Sequence, residues 1–88
     1  MPSLYVLDVP EFRPLVEAAR RRPEFRVDGP AAGYFCLVTE GPLRLERAET
    51  GLAEALWFGA FTGGFDGEKL AIDSREFCIG PRATPDAA

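Results

Sequence analysis

The chain has 88 residues, 14 acidic against 10 basic, with two cysteines and no histidine. That length is one domain, able to bury only about 60–65% of its unfolded surface, and a hydrophobic fraction of 47% with 27% charged residues is ordinary for a globular protein. The missing histidine removes Ser-His and Cys-His nucleophiles, mixed Cys/His zinc sites and an imidazole base, while a net charge of −4 argues against nucleic acid or an anionic membrane as partner.

Residues 4–9 read as a first strand, short, rich in β-branched and aromatic residues, and ended by Pro10. The apolar run there has no basic flank and is broken by Asp8, so it does not read as a signal peptide. Residues 11–22 then predict a helix, with Phe12, Leu15, Val16 and Ala19 on one face. Pro10 and Pro14 fall in or near its first turn, where a missing N–H costs little, and Pro23 stops it. Residues 25–28 alternate as a second strand. The next strand, 34–40, is apolar on both faces and is expected at the centre of the sheet. Gly41-Pro42 is expected to turn it into an antiparallel hairpin with 43–48, where Leu43 and Leu45 alternate with Arg44 and Glu46.

Thr50 suits the N-cap of a second helix over residues 51–61, with Leu52, Ala55, Leu56 and Gly59 or Ala60 facing inward. Gly63 or Gly64 ends it, one of them in the left-handed conformation, and Asp66-Gly67 turns into a strand over 69–73. A turn at Asp73-Ser74-Arg75 leads to a last strand at 76–79. The predicted order is β-α-β-β-β-α-β-β, an α+β two-layer sandwich with a largely antiparallel sheet. Residues 1–79 form the single domain in this reading, and 80–88 a loose tail.

Few segments carry chemistry. The glycine-rich stretch 62–69 follows a helix instead of leading into one, so it meets unpaired carbonyls where a phosphate loop would offer N–H groups. Cys36 and Cys78 are 42 positions apart inside apolar runs, without a CxxC, and read as small buried hydrophobes in a reducing compartment. Arginines 13, 20, 21, 22 and 26 make the N-terminal third locally basic, which suits a solvated helix end or, alternatively, a docking patch for an acidic partner surface. The carboxylates Asp66, Glu68, Asp73, Glu76, Glu46 and Glu49 show no spacing that defines an acid–base dyad.

Three functional readings follow. The leading one is a cytoplasmic, non-catalytic protein-interaction or accessory module that acts as a homodimer. If both helices cover one side of the sheet, Tyr34, Cys36 and Val38, or else Phe35 and Leu37, are left on the other, where a second copy would cover them. The second is a site for a small apolar ligand, with Trp57, Phe61 and Phe65 as its wall. The third is a cofactor-free enzyme using Tyr5 or Tyr34 with an arginine and a carboxylate. None of them calls for a metal, a cofactor, a nucleic acid or a membrane. The nine arginines against one lysine suit a G+C-rich bacterial genome.

Overall fold

The computed structural model describes residues 1–81. Two antiparallel sheets and three helices enclose one apolar core, in the α+β order that the sequence predicts. Strand β1 (Ser3–Leu7) lies between β3 (Tyr34–Val38) and the two-residue β5 (Phe65–Asp66), and β2 (Arg26–Ala31) pairs with the other side of β3. In the second sheet β7 (Glu76–Gly80) sits between β4 (Leu43–Glu46) and β6 (Glu68–Ile72). The doubly apolar strand 34–38 is thus central, as its pattern requires.

Gly41-Pro42 does not close a hairpin. Both edges of β3 are already occupied, by β1 and β2, so β4 finds no edge there and pairs with β7 instead. The hairpin lies one step earlier, between β2 and β3. Its turn residues Ala32 and Gly33 both have positive φ, 55° and 85°, the conformation that matches the twist of paired strands across a two-residue loop.

The first helical segment opens with a 3-10 turn at Pro10–Phe12 and continues as α1 (Arg13–Arg20), slightly shorter than predicted. Leu15, Val16 and Ala19 are buried, as their spacing predicts. The predicted second helix is two short ones, α2 (Arg47–Thr50) and α3 (Glu54–Gly59), separated at Gly51 with φ 72°. Thr50 closes α2: its hydroxyl donates to the Arg47 carbonyl at 2.8 Å and accepts the Leu52 N–H at 3.1 Å. The capping box belongs to Glu46 and Glu49, at the start of α2. The inward face is narrower than the stripe of Leu52, Ala55, Leu56 and Ala60 widened by Trp57, Phe58 and Phe61 that the sequence suggests: Leu52, Trp57 and Ala60 are buried, while Ala55, Leu56 and Phe58 point outward.

Asp66-Gly67 likewise bends the chain without joining two paired strands. Phe65–Asp66 pairs with β1 and Glu68–Ile72 with β7, so the chain bends at Gly67 to pass from the first sheet to the second without closing a hairpin. A side chain at Gly67 would meet the Gly80 carbonyl at 2.8 Å, which explains the glycine at the crossing. Strand β7 runs through Gly80, which is buried, one residue past the expected end of the domain; residues 82–88 of the expected tail lie outside the described residues.

The core joins Leu4, Val6, Leu37, Trp57, Phe77 and Ile79 with neighbours from every layer. The indole Nε1–H of Trp57 donates to the Asp73 carbonyl at 2.7 Å, tying α3 to the β6–β7 turn. That turn is in turn held by the Asp73 carboxylate, which accepts the N–H groups of Arg75 at 2.8 Å and Glu76 at 2.9 Å. These bonds hold the carboxyl below the ordinary aspartate range. A depressed folded pKa contributes stability above the unfolded value and loses it as pH falls through the folded one. Asp73→Asn is therefore expected to lower Tm at neutral pH, with the difference from wild type shrinking below about pH 4, where the unfolded carboxyl titrates; calorimetric scans across that range check it. A gap that persists undiminished at pH 2 would contradict the assignment.

Candidate protein interface

Strand alternation fixes two faces for the first sheet. Leu4 and Val6 of β1 and Phe35 and Leu37 of β3 point into the core, where Leu15, Val16 and Ala19 of α1 meet them. The guanidinium groups of Arg13 and Arg20 lie over the Phe35 ring at 5.4 and 5.7 Å, completing the cover on that side. The opposite face carries Tyr5, Leu7, Tyr34, Cys36 and Val38, paired across strands as Tyr5 with Cys36, Leu7 with Tyr34 and Ser3 with Val38. Tyr5, Leu7 and Tyr34 are 41%, 39% and 38% exposed. Three large apolar side chains thus stand together on one open sheet face.

Of the two sets that the sequence leaves open for this face, Phe35 and Leu37 face the core, and Tyr34, Cys36 and Val38 lie on the side turned away from it. Tyr34 is exposed, Cys36 half-buried and Val38 buried. Sequence reasoning missed Tyr5 and Leu7 as members, although the alternation of β1 marks them: with Leu4 and Val6 inside, residues 5 and 7 must point out. Burial pushes the Cys36 thiol above its ordinary pKa, the Asp28 carboxylate pushes it further, and a hydrogen bond with Tyr5 and the nearby Arg26 offset this only in part.

The rims of the face are polar on one side and backbone on the other. On β2, Arg26 and Asp28 form an ion pair at 2.9 Å, with side chains 66% and 52% exposed. Beside Arg26 and Val38 the surface dips into a concavity of about 370 Å³ that Met1, Phe25, Thr39 and Glu40 also line. On the β1 side, the segment through Gly63 and Gly64 runs along the strand, the Tyr5 N–H donating to the Gly64 carbonyl at 3.0 Å. Gly63 lies against the Tyr34 ring, and a side chain there would stand 2.5 Å from the Tyr5 carbonyl oxygen. Gly64 has φ 97° with open space around it. The two glycines therefore serve different needs, close approach and backbone conformation. Gly63→Ala is expected to destabilise by about 2–3 kcal/mol through overpacking and Gly64→Ala by about 1–2 kcal/mol through the left-handed conformation. Urea titrations of both variants check the order, which equal losses would refute.

The aromatic wall read from the sequence is largely interior. Trp57 is fully buried and stacks edge-on with Phe61 at 4.8 Å between ring centres. Phe61 and Phe65 both pack on Phe77, at 4.3 and 5.4 Å, and only these two of the three reach the surface. The basic N-terminal third is also internally engaged. Arg13 pairs with Asp8, Arg20 with Glu17, and Arg22 with both Glu24 and Glu49, while Arg21 donates to the Glu49 carbonyl.

A larger cleft of about 650 Å³ lies at the end of the second sheet, lined by Arg44, Glu46, Arg47, Leu52, Arg75 and Glu76 among others. Arg44 pairs there with Glu46 and Glu76, and Arg47 donates to the carbonyls of Ser74 and Leu52. Those guanidinium groups are spent on holding β4, β7 and α2 together. Among the described residues no three cysteine, aspartate or glutamate side chains are grouped as metal ligands, and no helix is long and apolar enough to cross a membrane. No protein-family model matches the chain, and no curated protein matches it either.

Proposed function

We propose that this protein is a non-catalytic interaction module that works as a homodimer through the open face of its first sheet. The observation that carries this reading is the set Tyr5, Leu7 and Tyr34, exposed side by side on the face turned away from the core. Exposed aromatic and aliphatic groups grouped on one face are the usual mark of a contact surface, in contrast to single scattered ones. Four strands spaced 4.8 Å and five residues rising 3.3 Å give the face a projected area of about 300 Å². That is small against the ~800 Å² per partner of a standard interface, so the association is a weak, concentration-dependent one.

Sedimentation velocity across a wide concentration range tests the proposal. Wild type should shift from monomer to dimer as concentration rises. Tyr34→Glu, which sets a charge on the face, should remain monomeric with its far-UV spectrum unchanged. A wild type that stays monomeric throughout would overturn the reading.

A further inference from the structure

We infer that the second copy seats in one defined orientation, with a two-fold axis running across the strands over the line Val27, Leu37 and Leu4. This inference rests on the homodimer reading above and adds its geometry. Cross-strand pairing sorts the open face into three rows. Arg26, Val38 and Ser3 form the first row, Asp28, Cys36 and Tyr5 the second, and Tyr34 and Leu7 the third. Between the first and second rows lie Val27, Leu37 and Leu4, also paired across the strands.

A face that binds its own copy must be complementary to itself under rotation by 180°. Two features of the open face meet that demand about the same axis. The first is charge. Arg26 and Asp28 sit one on each side of the line, on the same strand and face, and both are exposed. Rotation about the axis brings Arg26 over the partner's Asp28 and Asp28 over the partner's Arg26, so four charges alternate in sign. Any axis that set like charges opposite would instead be penalised.

The second feature is shape. The third row, Tyr34 and Leu7, is a ridge of exposed apolar side chains at one end of the face. Beyond the first row, at the other end, lies the concavity of about 370 Å³ beside Arg26 and Val38. The same rotation carries the ridge of each copy to the concavity of the other, twice. A cavity of about 150 Å³ already admits a benzene ring, so the concavity has room for the phenol of the partner's Tyr34. Seating the ridge in the concavity also extends the contact beyond the flat sheet face.

Charge exchange tests the orientation, read by sedimentation of the full chain. Arg26→Asp alone and Asp28→Arg alone each set like charges opposite one another twice in a homodimer. Each should weaken self-association about tenfold or more. In an equimolar mixture the two variants restore both attractive contacts between the copies, and a heterodimer at least about as tight as the wild-type dimer should form. Either variant associating as wild type does, or a mixture no tighter than its components, would overturn this orientation while the wild-type dimer still stands. A wild type that never dimerises sinks both proposals together. Should either variant lose its far-UV spectrum, Arg26→Glu and Asp28→Lys repeat the exchange with different side chains.

Discussion

Replacing Trp57 by alanine is expected to remove about 3–5 kcal/mol of folding stability, the range for deleting a large aromatic from a packed core. The side chain is completely buried, and it touches the aromatic series that joins α3 to both sheets, through Phe61 to Phe77 and on to Phe65. Its Nε1–H also fills the Asp73 carbonyl at the β6–β7 turn. Alanine removes the ring and leaves that acceptor without its donor. Phenylalanine separates the two effects, since it keeps an aromatic body in the site and loses only the hydrogen bond with some volume. That variant should cost about 1–2 kcal/mol. A domain of this size has roughly 4–13 kcal/mol to lose, so the alanine variant should sit near the edge of folding at 37 °C. Trp57 is the sole tryptophan, and its substitution removes the fluorescence reporter. Urea unfolding followed by far-UV circular dichroism is therefore the measurement. A loss below about 1 kcal/mol for the alanine variant would mean that the aromatic series does not hold the two sheets together.

What the sequence discloses follows from how local each signal is. The apolar runs at 4–9 and 34–40 and the spacing of Leu15, Val16 and Ala19 are local, and they place β1, β3 and α1 to within a few residues, but they do not decide which face of β3 lies open. Pairing is not local. Nothing within residues 34–48 reveals that β3 is already flanked by β1 and β2, so the turn chemistry of Gly41-Pro42 reads as a hairpin when it is a crossover. The same holds for Asp66-Gly67, whose dipeptide signals a turn between paired strands while the bend at Gly67 instead carries the chain from pairing with β1 to pairing with β7. Around Thr50 two local signals compete. A threonine before an apolar run suits an N-cap, but Glu46 and Glu49 make the stronger, reciprocal cap one turn earlier, and the threonine hydroxyl then closes that short helix.

The candidate face was legible in part for the same reason. Tyr34, Cys36 and Val38 share a face by alternation alone, which the sequence gives without knowledge of pairing. Their company of Tyr5 and Leu7, and the flanking ion pair on β2, depend on register between strands distant in sequence. Trp57, Phe61 and Phe65 show the converse. Their density in the sequence suits a ligand wall, but three layers converge on them, and the interior absorbs the tryptophan.

Leu37→Ala is the second large effect, with an expected loss of about 2–5 kcal/mol. Leu37 is fully buried on the central strand of the first sheet, paired with Leu4 on one side and Val27 on the other. No flexible neighbour lies on that strand to fill the void, because its inward companion Phe35 is held under α1 by Arg13 and Arg20. The same strand presents Tyr34 and Cys36 on its reverse side, so its two faces can be tested against each other. Substitution inward, at Leu37, should lower the urea midpoint strongly. Under the dimer proposal it should leave the monomer–dimer equilibrium of the still-folded protein within about threefold of wild type, since no interface side chain changes. Tyr34→Glu should do the reverse, abolishing association at a stability cost of no more than about 1 kcal/mol for an exposed site. If the two variants instead lose stability alike and association alike, the strand does not divide into a core face and a contact face. A loss below about 1 kcal/mol at Leu37 would remove β3 from the centre of the core altogether.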